Sequence, residues 1–296
     1  MLTKKQFDLL SYLSALTEAP SQRKIALQLN LSTGNVNQSL KELTALGYLE
    51  NGLLTQAGLD ALEPYRVKRA VFIAAGFGSR MVPITLNTPK PLVRVNGKRL
   101  IDTLLDGVIT AGIEEIYIVR GYLGEQFDQL LYKYPNIQFI NNPIYNEANN
   151  ISSALYARHL LQNAYVMEAD LLLYNPSLIQ KYQYSSNYLG VKVEKTDDWC
   201  LKTNSQGFVK KMGIGGLDCY HMYGISYWNA EDGKKLEDHI QQVFQSPGGK
   251  ERYWDQVALE YYLDQYNVRV RECTFQDIIE IDSFSELKQL DKSYQV

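Results

Sequence analysis

Four groups of residues in this sequence have types and spacing suited to chemistry. The first is Gly76-Phe77-Gly78-Ser79-Arg80, directly after the apolar run Val71–Ala75, with Lys90 further on between Pro89 and Pro91. Glycines after a buried strand let the backbone pass close to a ligand, and their N–H groups can converge on phosphate oxygens. Arg80 and Lys90 would add the positive charge a polyphosphate requires. The second group is Glu168-Ala169-Asp170 and the third Glu280-Ile281-Asp282-Ser283, each an acidic end to an apolar run. Carboxylates at strand ends can hold Mg²⁺, which takes oxygen ligands and commonly bridges to substrate phosphates. The fourth is the aromatic and acidic set Trp199, Tyr227, Trp228, Tyr253, Trp254 and Asp255. It could enclose a cationic group through cation–π contacts, with Asp255 as counter-charge.

Each group also has a plain structural reading. Gly-x-Gly after a strand is an ordinary tight turn. It is not the dinucleotide fingerprint, because position 81 is Met, nor a P-loop, because no Gly-Lys-Ser/Thr follows. The acids could cap helices or face solvent, and Asp282 beside a helix start could be a dipole partner. The aromatics could be core, and Tyr227 and Trp228, adjacent on a strand, cannot both face one side.

The elements that would carry these groups alternate from Ala70 onward. We read strands at Val71–Ala75, Glu115–Val119, Ile137–Asn141 and Ala164–Glu168. Between them lie helices Leu100–Ala111, Leu123–Tyr134 and Asn149–Leu161. Such units predict an α/β layer structure around a mostly parallel sheet. Its ligands would sit beyond the carboxyl ends of strands, where Gly76 and Asp170 fall. The second half reads as strands Tyr188–Val193, Trp199–Thr203, Phe208–Lys211, Met222–Trp228, Val268–Cys273 and Ile278–Asp282. Helices are expected over Glu231–Phe244 and Trp254–Tyr266, and Ser283 opens a capping box before a closing helix.

Residues 1–65 form a separate unit, joined through a linker around Pro64 to residues 66–296. Helices are expected over Leu2–Leu16, Gln22–Leu29, Asn35–Leu46 and Gln56–Leu62, with a hairpin turning at Asn51-Gly52. This order resembles the winged helix-turn-helix family. The resemblance implies duplex DNA as a partner through residues 21–55, with Asn35, Asn37 and Gln38 able to read base edges. Six Lys/Arg balance six Asp/Glu in residues 1–66, so phosphate anchoring would rest on few cations. The alternatives are dimerisation, giving a homodimer, or docking on the second domain.

Composition narrows the class. Apolar residues make up 45% and charged residues 21%, as in ordinary globular chains. A net charge of −3 argues against a surface built throughout for nucleic acid. Cys200, Cys219 and Cys273 lack metal-ligand spacing and suit reduced thiols, so we expect a cytoplasmic protein. No run of roughly 18 apolar residues suggests a membrane span.

The segment G-F-G-S-R…T-P-K-P-L resembles the signature of sugar-phosphate-type nucleotidyltransferases. Further segments narrow the resemblance: G-Y-L-x-E-Q-F-D at Gly121–Asp128, N-N-x-x-S at Asn149–Ser153, A-D at Ala169–Asp170, D-W at Asp198–Trp199, Y-W-D at Tyr253–Asp255 and E-I-D-S at Glu280–Ser283. In this order they are similar to the bacterial CTP:phosphocholine cytidylyltransferases. The resemblance implies an α/β fold, a mostly parallel Rossmann-like nucleotidyltransferase sheet preceded by the small winged helix-turn-helix domain. It implies Mg²⁺-dependent transfer of CMP from CTP to phosphocholine, giving CDP-choline and pyrophosphate.

By that resemblance Ala75, Gly76, Gly78, Ser79, Gly121 and Asn149 would bind nucleotide. Arg80 and Lys90 would be catalytic, and Asp170 and Asp282 would ligate Mg²⁺. Glu168, Trp199, Tyr227, Tyr253, Trp254 and Asp255 would bind the acceptor. Such proteins often carry Asp where Glu168 stands, and the winged helix is additional to the minimal enzyme. The alternatives are transfer to a sugar 1-phosphate or another small phosphate, or a DNA-binding regulator whose transferase-like domain senses a metabolite.

Overall fold

The computed structural model describes residues 1–295 and divides into two compact units. The first comprises Met1–Arg66 with Tyr182–Tyr184, and the second Val67–Lys181 with the described residues from Ser185 onward. No helix among the described residues is long and apolar enough to cross a membrane.

The first unit contains α1 (Lys4–Leu13), α2 (Gln22–Leu29), α3 (Thr33–Ala45), the hairpin β1 (Leu49–Glu50) and β2 (Leu53–Leu54), and α4 (Gln56–Leu62). Hydroxyl caps fix the helix starts, because each satisfies a backbone N–H that the helix leaves free. Ser21 Oγ accepts from Lys24 N, Ser32 Oγ from Asn35 N and Thr55 Oγ1 from Gly58 N. Thr3 and Gln6 form a reciprocal capping box, so α1 starts at Lys4 rather than Leu2. The cap at Ser32 likewise starts α3 at Thr33, two residues before the expected Asn35. Phe7, Leu10, Leu13, Ile25, Val36, Leu43 and Leu62 fill the core. Asn35, Asn37, Gln38 and Lys41 are exposed along α3.

The second unit is built on a seven-stranded sheet. Its elements are β3 (Arg69–Ala74), the short pair β4 (Arg94–Val95) and β5 (Lys98–Arg99), α5 (Leu100–Thr110), β6 (Glu115–Arg120), β7 (Ile137–Asn141), α6 (Ile151–Ala157), β8 (Ala164–Glu168) and β9 (Leu171–Leu173). There follow β10 (Asn187–Thr203), β11 (Val209–Trp228), α7 (Ala230–Gln245), β12 (Arg269–Cys273), β13 (Ile278–Glu280) and α8 (Phe284–Leu290). The sheet order is β12-β10-β11-β8-β3-β6-β7. Strands β8, β3, β6 and β7 run parallel, as do β10 and β12, while β11 is antiparallel to both its neighbours. The central strand β3 is buried from Ala70 onward, as a strand covered on both faces must be. Alternate β3 residues enter two clusters: Ala70, Phe72 and Ala74 face α5, and Val71 and Ile73 face α6 and α7.

Three stretches depart from the sequence expectation. Leu123–Tyr134 is not an α-helix but a series of 3₁₀ turns over Gly124–Tyr132. Trp254–Tyr266 is a π-helical turn at Val257–Tyr261 followed by a 3₁₀ turn at Leu263–Gln265. The four short strands expected between Tyr188 and Trp228 merge into β10 and β11. Register shifts around Cys200 and Leu201 let β10 pair with β11 twice over, as Cys200↔Gly213 and Cys200↔His221. Such bulges bend a strand without ending it.

Candidate active site

The site begins where β3 ends. Gly78 has φ of 62°, and a Cβ placed on it would lie 2.9 Å from Lys90 Cβ, so only glycine fits there without strain. Its carbonyl accepts from Thr85 Oγ1 at 2.8 Å, which fixes the loop. Space above Gly76 is open, with no atom within 4 Å of a Cβ built there. The third 3₁₀ turn after the loop, Lys90–Leu92, brings the lysine stem beneath it.

Lys90 is the buried cation of the site. Its Nζ donates to Asp170 Oδ2 at 2.7 Å and to Asp282 Oδ1 at 3.0 Å. Arg80, on the exposed rim, donates to the same Asp282 oxygen at 2.8 Å. Two short antiparallel strands supply the acids: β9 follows Asp170, β13 ends at Glu280, and Glu280 pairs with Leu171. The backbone N–H groups of Asp282 and Ser283 both donate to Glu286 Oε2, and Ser283 caps α8. Asp282 is thereby held at a helix start.

Ligand oxygens of Glu168, Asp170 and Glu280 lie within 4.8 Å of one another. Asp170 Oδ1 is buried and has no hydrogen-bond partner. This all-oxygen set with an orphaned carboxylate oxygen fits a hard divalent cation. The electrostatics agree. Burial, with Asp170 and Asp255 nearby, pushes the Glu168 carboxyl well above the usual range. Burial, with Asp170 and Glu168 nearby, does the same to Glu280. Burial also pushes Asp282 upward, but Lys90 and Arg80 outweigh it and hold that carboxyl below its ordinary value. Burial would lower the Lys90 ammonium, yet Asp170 and Asp282 hold it above its ordinary value.

A cavity of about 520 Å³ joins these groups to an aromatic, acidic end. Gly76, Gly78, Ser79, Arg80 and Lys90 line one side, and Asp198, Trp199, Tyr253 and Asp255 the other. The Trp199 and Tyr253 rings meet edge to face, with centroids 5.5 Å apart. Tyr188 donates to Asp255 Oδ2 at 3.0 Å, and burial pushes the Asp255 carboxyl up to about 6 despite that hydrogen bond. A second cavity of about 440 Å³ adjoins, lined by Ala75, Gly76, Phe77, Tyr145, Asn149 and Ser153 among others. Asn150 lines both and accepts from Trp254 N at 2.9 Å.

Two expected acceptor residues are not in the cavity. Tyr227 is 1% exposed, packs against Tyr165 in the sheet core and donates to Asn163 Oδ1. Trp254 is also 1% exposed and stacks edge-on against Trp228. Both are packing residues because their strand or turn aims them into the apolar layers, while Tyr253, one residue earlier, faces the cavity. Gly121 lines neither cavity; its missing Cβ makes room for the Tyr145 ring, which would otherwise clash at 2.6 Å. Glu168, expected at the acceptor, stands with Asp170 and Glu280. Asp282 is joined to Asp170 through Lys90 rather than directly.

Several lining residues were given no individual role in the sequence reading. Glu280, Asp198 and Asn150 sit inside the quoted segments E-I-D-S, D-W and N-N, so their signal was present. Tyr188 carried none, because its partner Asp255 is distant in the chain.

A glycine loop at the end of a central parallel strand, facing paired cations and carboxylates, defines a nucleotidyltransferase. A family model described as nucleotidyl transferase matches residues 69–187, and one described as winged helix-turn-helix DNA-binding matches residues 2–50. The chain is 36% identical over 228 residues to a 2-aminoethylphosphonate cytidylyltransferase of Lancefieldella rimae, covering 76% of this chain and 92% of the relative. It is 31% identical over 224 residues to a choline-phosphate cytidylyltransferase of Streptococcus pneumoniae, covering 76% and 97%. A solved CTP:phosphocholine cytidylyltransferase from Streptococcus pneumoniae superposes with a TM-score of 0.71 at 32% identity, covering 77% of this chain and 99% of that one. The chain belongs to this cytidylyltransferase family.

Proposed function

We propose that the protein transfers CMP from CTP to a small acceptor carrying a phosphate or phosphonate at one end and a cationic amine at the other, with phosphocholine as the first candidate. One observation carries this reading. A single cavity has a cationic glycine-loop end at Arg80 and Lys90 and an aromatic, acidic end at Trp199, Tyr253 and Asp255.

In the reaction an acceptor oxygen attacks the α-phosphorus of CTP, the bond to the β-phosphate breaks, and pyrophosphate leaves. The attacking group is already anionic, so no strong base is needed. None of His159, His221 and His239 lines the cavity. The loop N–H groups and Ser79 would hold the triphosphate. Arg80 would meet charge growing on the leaving pyrophosphate, and Lys90 would hold the transferred phosphate in line. Mg²⁺ held by Asp170, with Asp282 or with Glu168 and Glu280, would supply Lewis-acid charge to the phosphates. Trp199 and Tyr253 would meet the ammonium on their ring faces.

A second acceptor, 2-aminoethylphosphonate, is favoured by the carboxylates at that end. A primary ammonium can donate hydrogen bonds to Asp255 or Asp198, whereas a trimethylammonium cannot. The test is pyrophosphate release with each nucleoside triphosphate against phosphocholine, 2-aminoethylphosphonate and a sugar 1-phosphate. Turnover confined to CTP and a cationic acceptor is expected; turnover only with the sugar phosphate would overturn the reading.

For the first unit we propose duplex DNA as partner, through exposed Asn35, Asn37, Gln38 and Lys41 on α3. A salt-sensitive mobility shift is expected. Absence of binding to duplex DNA at low salt would leave a protein-contact role.

A further inference from the structure

Lys90 occupies one oxygen of each carboxylate that a metal shared by Asp170 and Asp282 would use, and leaves Asp170 Oδ1 without a partner. Its ammonium bonds Asp170 Oδ2 and Asp282 Oδ1 together, and its side chain is only 10% exposed. Glu168 and Glu280 stand beside the same Asp170. Carboxylates this close repel one another unless some are protonated or a cation sits among them, and Lys90 is the buried cation bonded to Asp170 and Asp282. A divalent ion bound to Asp170 and Asp282 would lie within a few ångströms of the ammonium, and two like charges at that range repel strongly in a half-buried site. The glycine loop has open space beside it, since no atom lies within 4 Å of a Cβ built on Gly76. The lysine stem packs against Gly78, with Lys90 Cδ 3.7 Å from the position a Cβ there would take. Rotation about the terminal side-chain bonds would carry the ammonium from the carboxylates toward the glycine loop.

We propose that Lys90 is an internal counter-cation, holding Asp170 and Asp282 in place until a divalent metal displaces it and its ammonium turns to the glycine loop. Only the destination rests on the reading of that loop as a phosphate site; the exchange itself does not. The exchange couples the two halves of the site. Metal entry frees the lysine for phosphate, and phosphate in the loop stabilises the freed lysine, so metal and nucleotide favour each other's binding. Lys90 is thus a positioning residue for the carboxylates before it meets substrate.

The test uses the full chain without nucleotide. Mn²⁺ binding, read by electron paramagnetic resonance, is expected to tighten roughly tenfold in Lys90→Met, a difference of about 1.4 kcal/mol. Lys90→Gln serves should the methionine variant not fold. Equal or weaker binding in the variant, or no binding in either protein, would overturn the proposal. Limited acetylation of the wild-type protein, mapped by mass spectrometry, separates displacement from simple repulsion. Saturating Mg²⁺ should raise Lys90 acetylation several-fold while exposed Lys202 is unchanged. A Lys90 that stays equally protected under saturating metal would refute displacement. Absence of turnover in the presence of this exchange would count against the transferase reading and leave the exchange standing.

Discussion

Tyr188 Oη donates to Asp255 Oδ2 at 3.0 Å inside the acidic end of the cavity. The bond favours the ionised carboxylate, but burial outweighs it and pushes the carboxyl up to about 6. Above that pH Asp255 is charged and can neutralise an ammonium; below it the counter-charge is lost. The acceptor KM should therefore rise as pH falls from about 7.5 to 5, with the CTP KM changing less. Asp255→Asn should show a high acceptor KM that varies less across this range, the remaining variation coming from the acceptor's own phosphate, which also titrates at about pH 6. Parallel pH profiles of the two KM values in both proteins check this, and an unchanged profile in the variant would remove Asp255 from acceptor binding.

The same shift has a consequence for folding. A carboxyl raised from 3.8 to about 6 binds its proton more tightly in the native state than in the unfolded chain. Stability from this group is present at low pH and is lost as pH rises from about 4 to 6, by up to about 3 kcal/mol. Glu168 and Glu280 are raised as well and act in the same direction. Urea midpoints between pH 4 and pH 7 should thus vary less with pH in Asp255→Asn, without becoming flat. A variant with the wild-type pH slope would contradict the assignment.

At the phosphate end, Lys90→Ala and Asp282→Ala should each lower kcat by roughly 10²- to 10³-fold, the usual loss for one preorganised charge. Lys90→Ala also strips the buried cation from the carboxylates, so its Tm should shift unless added metal compensates. Steady-state kinetics with CTP saturating, beside thermal melts with and without Mg²⁺, distinguish the two effects. Near-normal kcat in either variant would exclude that residue from the reacting centre.

How much of this was readable from the sequence follows from where each signal lies. The strand and loop from Val71 to Arg80 were legible because an apolar run ending in glycines is a local pattern, and so were the caps at Ser21, Thr55 and Ser283. The 3₁₀ turns at Gly124–Tyr132 were not, because apolar spacing alone does not separate an α-helix from tighter turns. Nor was the merging of four short strands into β10 and β11, since Asp197, Asp198 and Gly213–Gly216 look like breaks but are bulges held by pairing across the sheet. At the site, the segments were visible while the directions of side chains within them were not. Tyr253 and Trp254 are neighbours, and only packing decides that the first faces the cavity and the second the core.

That last difference can be measured. Trp199 and Tyr253 line the cavity and meet edge to face. Trp254 and Tyr227 are buried in the two apolar layers. Trp199→Ala should raise the acceptor KM by roughly threefold to thirtyfold, the span expected of a cation–π contact, and leave the CTP KM and the Tm nearly unchanged. Trp254→Ala should instead destabilise the fold by about 3–5 kcal/mol through the cavity it leaves beside Trp228. Tyr227→Phe removes only the hydroxyl that donates to Asn163, at a cost of about 1 kcal/mol, and should leave both KM values as they are. Thermal melts and acceptor kinetics on the three variants provide the comparison. A selective acceptor defect in Tyr227→Phe, or a Trp199→Ala protein that loses stability but binds acceptor normally, would reverse the division between the aromatic residues that pack and those that face the ligand.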